Sequence, residues 1–220
     1  MLEAIFNPEN PVFCLINKIL DLVLLSLVWA LCCIPVVTAG AASAALYYAV
    51  VKSVRRQRSY PVREFWRGFR MNLKKGILIQ ILWMVLAAMT LVSDVPLFLT
   101  FLDTGKLQDK VFLVLLILKV VFLQGMACWI YPLLSRFEER TGKLAEAALV
   151  LMIRHLPVTL AAVFLVLVTG LLLYIEPLLA AVIPGTGALL LSFLLEPHLR
   201  QLVRREETGE EEDPWYLERR

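Results

Sequence analysis

The stretch VTLAAVFLVLVTGLLLYI, Val158–Ile175, decides the fold. It carries no charge. A bilayer hydrocarbon core about 30 Å thick takes about 20 mainly apolar residues in one helix. Inside lipid the backbone must satisfy its own hydrogen bonds, so such a stretch is a helix. Transmembrane strands would alternate apolar and polar side chains, and this one does not.

Working outward, the pattern recurs. After Glu176-Pro177 comes Leu178–Leu195, again uncharged. Before it lie Val111–Leu134, with one charge at Lys119, and Gly76–Ser93, interrupted mainly by Gln80. Ile19–Val37 is a fifth block, with Asp21 near its start. Ala41–Val51 is apolar but short. It reads either as a sixth span continuing to Arg55 or as a re-entrant helix. The chain has 220 residues, 60% of them hydrophobic and 19% charged. Soluble domains run about 45–50% apolar and about 25% charged. A soluble enzyme, a disordered chain and a secreted disulfide scaffold are therefore excluded. The expected fold is an all-α integral membrane bundle of five to six transmembrane helices with two cytoplasmic amphipathic helices. Residues 1–200 form one domain, with spans near 19–37, 41–55, 76–93, 111–134, 158–175 and 178–195. Residues 201–220 form an acidic, flexible cytoplasmic tail.

The first block is too long for a signal-peptide core, and Glu3, Glu9 and Asp21 lie beside Lys18, so it reads as a retained helix. Asn10-Pro11 reads as its N-cap followed by proline at the first helical position.

Charge sets the orientation. Lys52–Lys75 holds nine lysines and arginines, whereas Asp94–Lys110 holds Lys106 and Lys110 against three aspartates. Ser135–Pro157 has four, Glu176-Pro177 none, and the tail after Glu196 five. This alternation follows the positive-inside rule. It places both long basic segments and the C-terminus in the cytoplasm. With six segments the N-terminus is cytoplasmic too.

Within the basic segment, Val62, Phe65, Trp66, Phe69 and Leu73 fall at helical spacing. Arg63, Arg67, Arg70 and Lys74 occupy another face. The expected role is contact with anionic headgroups or with a cytoplasmic partner. Nucleic acid is not an expected ligand, because these cations adjoin lipid-spanning blocks. Leu144, Ala148, Leu151 and His155 repeat the theme. Gly40/Ala44, Ala41/Ala45 and Ala45/Ala49 have the small-xxx-small spacing that lets helices approach closely.

Lys119 is the charge to explain, since ionisable groups within spans are functional candidates. Asp94, Glu176, Glu196 and Asp21 are its possible partners; otherwise it snorkels to an interface. Pro184-Gly185 and Gly187 break the last apolar region, as a kink or as a transporter-like discontinuity. Cys14, Cys32, Cys33 and Cys128 have no metal or disulfide spacing and read as small apolar packers. His155 and His198 read as isolated, and no metal or cofactor is expected. No P-loop, G-x-S-x-G, H-E-x-x-H or dinucleotide fingerprint is present, so no enzyme is expected. The run Glu206–Asp213 is polar and mostly acidic, and is expected to fold back on the basic segment or remain solvated.

Several strings, taken in order, resemble the YesL family of small bacterial membrane proteins. These are Glu9-Asn10-Pro11, Pro35–Ala41 leading to Ala45-Leu46-Tyr47-Tyr48, Phe65–Asn72, Tyr131–Phe137 and His155–Leu160. The likeness covers roughly residues 5–200, and Ala42 before Ser43 is a small departure from it. The resemblance implies a multi-pass protein accompanying carbohydrate-uptake systems, and supplies no catalytic residues. The expectation is a non-enzymatic accessory or regulatory component with a membrane transporter as partner. The alternatives are a small secondary transporter and a self-associating structural protein.

Overall fold

A computed structural model describes residues 11–55, 60–104, 107–137 and 139–206. Among these residues the chain is all helical, with no strand. The helices are α1 (Pro11–Cys32), α2 (Ala39–Ala49), α3 (Pro61–Thr104), α4 (Leu107–Arg136), α5 (Thr141–Arg154), α6 (Leu156–Ile175) and α7 (Ile183–Glu206). Among the described residues four segments are long and apolar enough to cross a membrane: Val36–Arg55, Pro61–Asp94, Leu113–Arg136 and Leu156–Ile175. The short sixth segment is among the four.

α2 is the axis of the molecule. From Gly40 to Ala49 every residue but Ser43 is buried. One side, with Ala42, Ala45, Leu46 and Ala49, packs with Leu22 and Leu25 of α1, Phe65 of α3 and Ala188 of α7. The other side, with Ala44, Tyr47 and the following Val51, packs with Trp129, Leu133 and Leu134 of α4, Ala162 of α6 and Leu195 of α7. A helix must be thin to have neighbours all round. Small side chains supply that thinness, because lipid gives no hydrophobic drive for helices to associate and close packing must do so.

The contact with α3 is closest at two glycines. A Cβ on Gly76 would stand 2.6 Å from the Ala41 Cα, and one on Gly40 would stand 2.7 Å from the Gly76 carbonyl oxygen. Nothing larger than glycine fits at Gly76. One turn-pair earlier on α3, Gly68 faces Ala45 and Tyr48. α1 and α7 cross at Gly185, where a Cβ would lie 2.7 Å from the Leu22 carbonyl oxygen. There the Gly185 N–H donates to Ser26 Oγ at 2.9 Å.

Several helix limits differ from the sequence reading, each for a local reason. α1 ends at Cys32 rather than near Val37, because Pro35 cannot continue the ladder. The Thr38 hydroxyl then donates to the orphaned Cys32 carbonyl at 2.5 Å. The amphipathic stretch 62–75 and the span 76–93 are one continuous helix, since Lys75-Gly76 holds no breaker, and it runs on to Thr104. The last apolar region divides at Pro177–Ala181, a 3-10 turn, and α7 starts at Ile183. Pro184 thus lies in the first turn of a helix, where its missing N–H costs nothing, and it kinks no span. The expected N-cap at Asn10 and the acidic run from Glu207 onward lie outside the described residues.

Candidate functional site

Most of the charges that the fold buries, Lys52, Glu64, Arg136 and Glu196, lie at one end of α2. The chain there widens into π-helical geometry over Val50–Arg55, a form that gathers at functional positions in other helices. It carries two cations inward. Lys52 Nζ lies 3.0 Å from Glu64 Oε2 of α3, with both side chains almost wholly buried. The same ammonium donates to the Tyr48 hydroxyl at 3.3 Å. Arg55 Nη1 donates to the Ser192 carbonyl of α7 at 2.9 Å, and its guanidinium lies 4.6 Å over the Phe193 ring. On the far side of α2, Arg136, at the end of α4, pairs with Glu196 of α7, again fully buried. The Tyr47 hydroxyl donates to the other oxygen of Glu196 at 3.2 Å.

These contacts bring the end of α2, the start of α3, the end of α4 and the middle of α7 into one layer. Removing one partner of such a pair strands a buried charge and typically costs about 3–5 kcal/mol. The layer therefore fixes helix register rather than adding much net stability. Tyr47 and Tyr48, neighbours in sequence, point to opposite sides of α2 and serve one pair each.

Lys119 has a partner of its own. Its Nζ lies 3.1 Å from both carboxylate oxygens of Asp94 on α3. Asp94 is buried and also accepts from Ser93 Oγ at 2.9 Å, whereas Lys119 is half exposed. Of the four acids the sequence offered, the fold selects Asp94. At 1.5 Å per residue, Lys119 stands about 25 Å along α4 from Arg136, so the two charged sites lie at opposite ends of the helix. Glu196, another of the four, is engaged by Arg136 instead.

The basic, aromatic start of α3 does not present its aromatics as one face. Phe65 is fully buried against α2, Phe69 is half-buried and stacked on it at 6.1 Å, and Trp66 is exposed. Arg63, Arg70 and Lys74 are exposed, and Arg67 is half-buried. Glycine and acid, Gly68 and Glu64, complete the buried stripe. Gly40, Ala41, Ala44 and Ala45 are all buried within the chain.

His155 and His198 are not isolated. Their ring centroids stand 4.3 Å apart beside Trp129 of α4. Trp129 is fully buried, and its Nε1–H donates to Thr159 Oγ1 at 2.9 Å. The sequence signal for this pairing is faint: each histidine lies within two residues of a proline at a span end. Among the described residues no three His, Cys, Asp or Glu side chains gather as a metal ion would need. Cys32, Cys33 and Cys128 are free thiols.

Residues 22–94 match the model of a family described as "Protein of unknown function, DUF624", which YesL-type proteins carry. That stretch holds α2, the Gly40–Gly76 contact, the Lys52–Glu64 pair and Asp94. No curated protein and no solved structure matches the chain.

Proposed function

We propose that this is a non-enzymatic multi-pass protein of the bacterial cytoplasmic membrane, acting as an accessory or regulatory component of a carbohydrate-uptake system. The observation that carries the accessory reading is the close packing around the central helix. α2 is enclosed on all sides by helices of the same chain, and the charges at its end are consumed in pairs. A carrier of polar solutes needs polar groups converging on a cavity near the midplane. The carbohydrate link rests on the YesL resemblance. The basic residues gathered at the Lys52–Arg136 end support a cytoplasmic placement of that end and of both termini. Arg63, Arg70 and Lys74, exposed on α3, are the groups that would meet anionic headgroups or a partner's acids.

Affinity capture from native membranes in mild detergent tests this. The expected result is stoichiometric recovery of the membrane subunits of a sugar transporter, lost when Arg63, Arg70 and Lys74 become glutamine. Recovery of the protein alone, together with sugar flux in proteoliposomes containing nothing else, overturns it.

The small-transporter reading has one observation in its favour, the Lys119–Asp94 pair with its half-exposed ammonium. Sugar flux abolished by Lys119→Met would establish it. Self-association would need a surface other than Gly40–Ala49, which α1, α3, α4 and α7 already cover.

A further inference from the structure

The histidine pair is built from three elements that meet at the charged end of the bundle. His155 joins α5 to α6, His198 lies on α7 just past Pro197, and Trp129 of α4 lies 6.3 Å from the first ring and 6.5 Å from the second. The histidine rings meet edge to face, at 63° and 4.3 Å between centroids. His198 Nδ1 lies 3.2 Å from the Leu194 carbonyl. A carbonyl only accepts, so the neutral ring carries its proton on Nδ1, and Nε2 is the nitrogen that takes another.

The charges around the pair come from each packed element. α5 contributes Arg154, directly before His155. α7 contributes Glu196, but this carboxylate is taken by Arg136 of α4 and Tyr47 of α2. No carboxylate among the described residues forms an ion pair with either histidine. Burial first, then His198 and Arg154, hold His155 below the ordinary histidine range. The seam around the pair is tight: a Cβ on Gly125 of α4 would stand 3.0 Å from Thr159 of α6 and 3.1 Å from Met152 of α5.

We propose that the His155–His198 pair is a proton-operated latch. Neutral, it seats the α5–α6 corner on α4 and α7; on taking up a proton its rings separate and the corner loosens. A first proton sits beside Arg154 with no acid among the described residues paired to it. With the rings 4.3 Å apart, positive charge on either one falls directly on the other and on Arg154 rather than on an acid. The seam has no slack, so a small separation unseats Met152 and Thr159 together. This inference is independent of the partner proposed above.

The test is hydrogen exchange on the full-length protein in phosphatidylcholine nanodiscs at pH 7.5 and 5.5, corrected for the intrinsic pH dependence of exchange. Relative to α2, amides of residues 144–156 are expected to lose several-fold protection at the lower pH. In His155→Gln/His198→Gln the ratio is expected to stay near one. A wild-type ratio that stays near one overturns the proposal without any variant. So does an equal acid-induced loss in the double variant or, should that not fold, in His155→Asn/His198→Asn.

Discussion

The segment Val36–Arg55 has a mean hydropathy of 1.2 and is 72% buried, whereas Leu156–Ile175 has a mean hydropathy of 2.6 and is 17% buried. In a soluble protein that order would be reversed. Here the more apolar helix is the outer one. α6 shows Phe164, Leu167, Leu171 and Ile175 to the outside, while α2 spends its length on glycine, alanine, serine and tyrosine. Hydropathy in a membrane reports contact with lipid. Smallness, and polar groups that can be paired, report the centre of a bundle.

Perturbing the two helices should therefore give unequal results, and the largest effect is expected at the charged end of α2. Glu64→Gln strands Lys52 and should cost about 3–5 kcal/mol in detergent unfolding. Lys52→Met with Glu64→Leu should recover most of that loss. If the single change is harmless, the buried pair does not hold register. Next comes the glycine contact. Gly76→Leu should cost about 3 kcal/mol or prevent folding, since the backbone of α2 blocks the side chain. The matched change Gly170→Leu on α6, where nothing lies within 4 Å, should be neutral in the same assay. Equal thermal shifts for the two would dissolve the distinction between inner and outer helices.

A smaller loss, about 1–3 kcal/mol, is expected for Thr159→Val, which leaves the buried Trp129 indole N–H without its acceptor; thermal unfolding reads it. The pH effect has a definite sign. His155 is held below its usual 6.5 by burial, His198 and Arg154, so the unfolded chain binds its proton first as the pH falls. Its contribution to stability is complete above pH 6.5 and is lost as the pH falls through the folded-state value. The unfolding midpoint should drop between pH 7.5 and 5.5, and drop less in His155→Gln. The smallest effect belongs to the outer surface: Phe164→Ala on α6, 70% exposed, should change stability by under about 0.5 kcal/mol.

How much of this was legible depends on the range of the interaction. The apolar blocks and the buried side of α5 at Leu144, Ala148 and Leu151 follow from spacing of three and four residues. The small residues of α2 were visible as a pattern, but not that every side of the helix would be covered. Lys119 had four candidate acids, and only the α3–α4 crossing brings Asp94 to it. Phe65 looked equivalent to Trp66 and Phe69, yet Gly68 draws α3 so close to α2 that this one aromatic is swallowed. The histidines were missed because 43 positions separate them, and no local period links them.

By itself, then, the amino-acid order determined that the chain is helical, membrane-spanning and basic at alternate connections, because length, apolarity and the asymmetry of lysine and arginine act over single helices. The tertiary structure alone decided which helix is the axis, which acid answers each buried base, and that His155 meets His198. Those outcomes depend on which helices come close enough to touch, and that is settled by the fit of glycine against backbone at a few crossings.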